Sequence, residues 1–87
     1  MRIKEGFILR KVGKQYVVAA TGEASKAFNG MIRMNEASAH IFKLLQEETT
    51  AEALVNAMIT ELGADEATAR ADIEMFLGKL KEAGALA

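Results

Sequence analysis

The sequence of 87 residues has no cysteine, no proline and only one histidine, His40. Without cysteine there is no disulfide, no thiol nucleophile and no cysteine-ligated metal, which fits a cytoplasmic protein. A catalytic or metal-binding histidine needs partner ligands, so His40 is interpreted as a structural or solvated side chain beside Glu36 and Lys43. No uncharged run exceeds eight residues. We therefore expect neither a membrane span nor a secretory signal.

The composition that remains is typical of a folded protein, with 51% hydrophobic and 26% charged residues. A chain of this length is enough for one small domain, which we expect to span residues 1–87. Its glycines stand alone and match no nucleotide-binding pattern, and no nucleophile has a base beside it. We therefore expect a protein that is not an enzyme and that holds no cofactor.

Three β-rich runs open the chain. Phe7–Val12 and Gln15–Ala20 are separated by Gly13-Lys14, and a leading glycine suits a type II′ hairpin turn. Met31–Met34 is the third predicted strand, with Ile32 and Met34 on one face. The small polar residues 21–27 indicate a loop.

The approach to the third strand has two interpretations. Phe28 either ends the loop as a core anchor or pairs across the turn that Asn29-Gly30 predicts, and the sequence does not separate them.

Three helices follow, each with a predicted cap. Asn35 caps the first, residues 36–46, and Asp65 caps the third, which ends at Gly84. Thr49 and Glu52 form a capping box for the second helix, which ends at Gly63. Apolar residues at helical spacing predict the buried faces of the last two helices: Leu54, Val55, Met58, Ile59 and Leu62, then Ala69, Ile73, Phe76, Leu77 and Leu80.

Strands first and helices after predict an α+β fold, winged-helix-like, with a three-stranded antiparallel sheet followed by three helices. Such a fold suggests DNA binding, but the charges oppose it. Residues 50–87 carry 3 basic against 7 acidic side chains. Most of these lie on the third helix, which would be the recognition helix of a DNA-binding protein. Because phosphate binding depends on cations, nucleic acid is disfavoured as a partner, although the hairpin does carry Arg10, Lys11 and Lys14.

A series of residues along the helices forms a recognisable pattern: Met34-Asn35, Ser38, Ala39, Ile41, Phe42, Leu44 and Leu45, then Thr50, Leu54 and Val55, and finally Asp72, Phe76, Leu77, Leu80, Gly84 and Leu86. This pattern resembles the PqqD-like family, the peptide-recognition elements of pathways for ribosomally made, modified peptides. Two positions depart from it, since Phe42 stands where the family usually has Trp, and Glu48 where it often has Gly.

The resemblance implies a non-catalytic chaperone that binds the leader of a precursor peptide. Such proteins present the leader to a modifying enzyme, often a radical-SAM enzyme. The leader adds a strand to the third strand and lies in a groove against the third helix.

The residues themselves support a site of this kind. An unpaired edge on the third strand invites strand addition. On the third helix, four side chains recur at spacings of four, three and four: Thr68, Asp72, Met75 and Lys79. They form either the far wall of a groove or an ordinary half-exposed flank of the helix. Arg33 and Lys79 suit acidic leader residues, and Ile32 and Phe76 suit the apolar floor. The predicted peptide-binding residues are Met31, Ile32, Arg33, Met34, Thr68, Asp72, Met75, Phe76 and Lys79.

Two alternatives stay open beside the peptide chaperone. One is a winged-helix DNA-binding protein, which a steep salt dependence would reveal. The other is a structural dimerisation module, since an open strand edge also pairs with a second copy of itself to give a homodimer.

Overall fold

The chain folds as a three-stranded sheet with helices packed on one face, in a computed structural model that describes residues 1–27 and 30–87. The α+β prediction is confirmed, although winged-helix-like is only a loose description. The interpretations of Phe28 and of the Asn29-Gly30 turn lie outside the described residues. The elements are β1 (Phe7–Val12), β2 (Gln15–Ala20), α1 (Ala24–Ala27), β3 (Met31–Met34), α2 (Glu36–Leu44), α3 (Ala51–Leu62) and α4 (Glu66–Glu82).

The predicted hairpin sets the register of the sheet. Gly13 has φ of +62°, as the first position of a type II′ turn requires, and Val12 pairs with Gln15 across it. The strand order is β1-β2-β3, and both pairings are antiparallel. In the second pairing Val18 lies opposite Ile32. The turn therefore fixes the register of β1 on β2, and the pairing of β3 with β2 places Ile32 on the same face as Val18.

Each strand presents one face to the helices. Val18 is fully buried and Met34 is 6% exposed, whereas Met31 on the other face of the sheet is 68% exposed. The predicted alternation of β3 is confirmed. The most fully buried large side chains come from the sheet and the helices together: Val18, Ile41, Phe42, Leu45, Leu54 and Leu80.

The predicted caps of α2 and α4 are confirmed. The Asn35 side chain accepts a hydrogen bond from the Ser38 N–H at 2.8 Å, and the Asp65 side chain accepts one from the Thr68 N–H at 2.8 Å. Gly63 ends α3 in the left-handed conformation, and the Ala64 N–H bonds to the Met58 carbonyl at 3.1 Å.

The predicted capping box of α3 is wrong by one residue. Thr50, not Thr49, is the cap, and its Oγ1 accepts a hydrogen bond from the Ala53 N–H at 3.1 Å. The Thr49 backbone is instead tied to Met1, whose carbonyl accepts the Thr49 N–H at 2.9 Å and whose amine donates to the Thr49 carbonyl at 2.7 Å. A contact between distant parts of the chain thus decides between two adjacent threonines.

Three further expectations are corrected. Residues 21–27 include the one-turn helix α1, which begins where Ser25 bonds through its N–H and its Oγ to the Gly22 carbonyl, at 3.2 and 2.7 Å. α2 ends at Leu44 rather than at residue 46. Leu62, expected to be buried, is 41% exposed because it lies at the end of its helix. Within the described ranges no helix is long and apolar enough to cross a membrane.

The Asp65 cap makes a testable contribution to stability. Hydrogen bonds from Thr68 lower the pKa of Asp65 below its ordinary value of 3.8. A lowered pKa means that the ionised cap stabilises the fold above that value and loses this effect as pH falls through the folded-state pKa. Asp65→Ala should lower the free energy of unfolding at neutral pH, and its difference from wild type should shrink in acid. Urea unfolding of both proteins across pH measures this, and a difference that does not change with pH would contradict it.

Candidate functional site

The outer side of β3 is an open edge. β3 pairs with β2 alone, and no other strand of the described residues lies beside it. In an antiparallel ladder, hydrogen-bonded pairs alternate with non-hydrogen-bonded pairs. A two-residue turn makes Val12 and Gln15 a hydrogen-bonded pair. Alternation along the two ladders then makes Val18 and Ile32 a hydrogen-bonded pair, so the N–H and C=O of Ile32 point to β2. The N–H and C=O of Met31 and Arg33 therefore point away from the sheet.

A groove lies directly beside this edge. It runs between β3, the first turn of α2 and α4, and has a volume of about 190 Å³. Thirteen residues line it: Ile32, Arg33, Met34, Asn35, Ala37, Ser38, Ile41, Met58, Asp72, Ile73, Met75, Phe76 and Lys79.

The floor of the groove is the surface of the hydrophobic core. Ile41, Met58, Ile73 and Phe76 are 1 to 7% exposed, and each packs in the main core cluster. Side chains held this tightly by their neighbours keep their positions when a ligand arrives. The floor is therefore preformed and apolar, as small ligand sites usually are.

The rim of the groove is charged with both signs. Arg33 comes from β3, and Asp72 and Lys79 come from α4, two turns apart. All three side chains are exposed, and none makes an ion pair with another described residue. They are thus available to charged groups of a ligand, with each exposed pair contributing at most about 1 kcal/mol.

The structure brings together seven of the nine residues predicted as the site. Ile32, Arg33, Met34, Asp72, Met75, Phe76 and Lys79 all line the groove. Two do not line it. Met31 belongs to the open edge, but its side chain lies on the other face of the sheet. Thr68 lies in the first turn of α4, where its N–H and Oγ1 both donate to the Asp65 carboxylate.

Sequence reasoning missed the wall that α2 contributes. Ala37 and Ser38 line the groove from the first turn of that helix, beside the cap Asn35. A signal for this wall exists in the sequence. Asn35 is the one residue between β3 and α2, so the first turn of the helix has to lie against the end of the strand.

The other charged contacts lie away from the groove. His40, interpreted as a structural or solvated side chain, has its Nε2 2.9 Å from Glu61 Oε1 on α3. Arg70 bonds to Glu52 at 2.7 and 3.2 Å and to Glu66 at 3.3 Å, and these contacts raise the pKa of Arg70 and lower that of Glu52. Across residues 1–27 and 30–87, no three His, Asp or Glu side chains converge as a metal site would require.

The fold is shared with a solved structure described as TbiB1 in complex with the TbiA(beta) leader peptide. The two chains superpose with a TM-score of 0.74 at 21% sequence identity, over 99% of this chain and 94% of the other. No curated protein sequence matches the chain. The family model described as coenzyme PQQ synthesis protein D (PqqD) matches residues 9–86, which is nearly the whole sequence. The chain therefore belongs to the PqqD family.

Proposed function

We propose that this protein is a non-catalytic peptide chaperone. It binds the leader of a precursor peptide by strand addition to β3 and presents that precursor to a modifying enzyme, such as a radical-SAM enzyme. The observation that carries the proposal is the continuity of two features: the open edge of β3 borders a preformed apolar groove. An open edge alone is common, but an edge with a side-chain pocket beside it is what recognition by strand addition needs.

The comparisons support the same class of function. The chain belongs to the PqqD family, and TbiB1, which has the same fold, was solved with a leader peptide.

The backbone of β3 supplies affinity that does not depend on the guest sequence. Met31 and Arg33 offer two N–H donors and two C=O acceptors to an incoming strand. Each hydrogen bond that replaces one to water contributes about 1 kcal/mol net. Four such bonds hold a segment in place and in register, without selecting its side chains.

The groove supplies the selection. Side chains of a guest strand alternate between the two faces of the extended sheet. Those on the face of Ile32 and Met34 enter the groove, where a large apolar group covers Phe76 and Ile73. The alternate side chains lie on the other face, beside the 68% exposed Met31. Recognition therefore reads every second residue of the leader.

Binding of this kind explains presentation. A leader fixed along β3 is held extended, and the rest of the precursor leaves the sheet as a free chain. The modifying enzyme then meets a tethered substrate at a raised effective concentration.

The direct test first identifies the precursor, as a short reading frame next to this gene and to the gene of a modifying enzyme. Titrated into isotopically labelled protein, it should shift the amide resonances of residues 31–34, of the first turn of α2, and of Asp72, Met75 and Lys79. The amides of Met31 and Arg33 should also become protected from hydrogen exchange. Resonance shifts confined to the helices, or the absence of binding, would contradict strand addition.

The same open edge also fits a second copy of this chain, which keeps the homodimer as the competing interpretation. Sedimentation without peptide separates the two. A monomer across concentrations supports the peptide site, whereas a dimer that the peptide does not dissociate places the edge in a permanent interface.

A further inference from the structure

A second concave surface adjoins the groove, at the tip of the β1–β2 hairpin. We call it the basic basin. It lies where the hairpin meets the end of β3 and the start of α2. Its lining residues are Lys11, Lys14, Gln15, Tyr16, Arg33, Met34, Asn35 and Glu36.

The basin holds three unpaired cations. Lys11, Lys14 and Arg33 are exposed, and none forms an ion pair with any side chain in the described part of the chain. Lys11 Nζ lies 5.8 Å from the centroid of the Tyr16 ring, so that the ring helps to place the ammonium group. Glu36 is the single carboxylate among the lining residues. The basin is therefore suited to an acidic ligand.

The basin and the groove are continuous. Arg33, Met34 and Asn35 line both of them, so a chain that leaves the groove past the end of β3 enters the basin. Cations lie on both sides of this junction, with Lys79 in the groove and Lys11 and Lys14 in the basin, and they attract an acidic ligand to both surfaces. Arg33 stands at the junction of the two.

We propose that the guest peptide carries acidic residues that lie in the basic basin, within a few residues of the apolar side chain that fills the groove. This inference rests on the proposed function and adds the substrate class. The precursor is recognised as an apolar anchor with an acidic flank on one side, rather than as an apolar segment alone.

An acidic peptide fits this surface better than nucleic acid does. The neighbouring helix α4 carries Glu66, Asp72, Glu74 and Glu82 against Arg70, Lys79 and Lys81. Asp72 also stands on the rim of the adjoining groove. A phosphate backbone that continued from the basin into the groove would approach the Asp72 carboxylate and the net-negative helix that carries it.

The test is a selection from a cell-surface library of random peptides. The library is sorted with labelled wild-type protein, with a basin variant (Lys11→Glu and Lys14→Glu), and with a control variant (Lys43→Glu and Lys81→Glu). The control lysines are exposed, lie outside both concave surfaces and change the net charge by the same amount. Circular dichroism checks that all three proteins fold.

The wild type and the control should enrich peptides with Asp or Glu at a constant spacing from a large apolar residue. The basin variant should lose that preference and bind the wild-type peptides about 5- to 30-fold more weakly, as expected when two exposed charge pairs are reversed. Apolar peptides without acidic residues, or an acidic preference that the basin variant retains, would overturn the inference while leaving the proposed function intact.

Two other outcomes have a different meaning. If no protein enriches any peptide, peptide binding itself is wrong. If labelled duplex DNA binds the wild type and not the basin variant, the basin is a nucleic-acid surface, and this overturns the inference.

Discussion

Arg33→Pro is expected to weaken binding of the precursor peptide by about tenfold or more, while Arg33→Ala weakens it only a few-fold. The register directs the Arg33 N–H outward, so proline removes a donor that only the guest strand uses. The guest carbonyl that loses this donor stays unsatisfied, at a cost of about 1–3 kcal/mol. Alanine removes the same charge but keeps the N–H. The comparison therefore isolates the backbone contribution from the electrostatic one.

Proline is compatible with the fold at position 33 for the same reason. The bonds to β2 come from the flanking residues, and Ile32 is already in the extended conformation that a following proline favours. Ile32→Pro is the opposite control, because it removes a donor to β2 and should lower the melting temperature. Calorimetric titration and thermal melts measure both effects. An Arg33→Pro variant that folds normally and binds as well as Arg33→Ala would rule out strand addition at this edge.

Much of this fold could be predicted because its signals are local. A glycine that starts a two-residue turn, the Asn35 and Asp65 caps, and Gly63 after the last apolar position each act within four residues. The bounds of all three strands, and the start of α2 and of α4, follow directly from such signals. Tertiary contacts agree with these local preferences rather than competing with them.

The errors occur where distant contacts decide or where the local signal is too short. The capping-box spacing to Glu52 favours Thr49, but the Thr49 backbone is bonded to Met1 and Thr50 is the cap. The contact of His40 with Glu61, 21 residues away, was not predicted at all. α1 has four residues, which is too short to show a helical period. The first two outcomes depend on contacts outside any short window of sequence, and the third on a local signal too short to recognise.

For the groove too, the sequence predicted the local pattern of residues but not how the elements pack. Helical spacing placed Asp72, Met75 and Lys79 on one stripe of α4, but it could not say whether the stripe is a wall or a free flank. The structure puts these three at the groove and leaves Thr68, from the same stripe, to the Asp65 cap. Helical spacing predicts which residues share a face of the helix. The packing of β3, α2 and α4 determines what that face contacts.

Filling the groove should abolish binding even with the strand edge intact. Ala37 is half-buried in the first turn of α2 and lines the groove, so Ala37→Phe projects a benzyl group into a space of about 190 Å³. The guest side chain then has no apolar surface to cover, and we expect at least about a hundredfold loss of affinity, corresponding to the 1.5–3 kcal/mol of burying one large apolar side chain plus the steric clash. Ala53→Phe, on the exposed side of α3, is the matched control and should bind like wild type.

Calorimetric titration of the precursor peptide into both phenylalanine variants decides the point, provided that their thermal melts match wild type. If Ala37→Phe binds normally, the guest does not use the groove, and its affinity comes from the edge alone. If Ala37→Phe abolishes binding and Arg33→Pro weakens it about tenfold or more, the backbone ladder and the side-chain pocket both contribute. That outcome is the one expected of a site where the ladder places a guest residue in register with the groove that it fills.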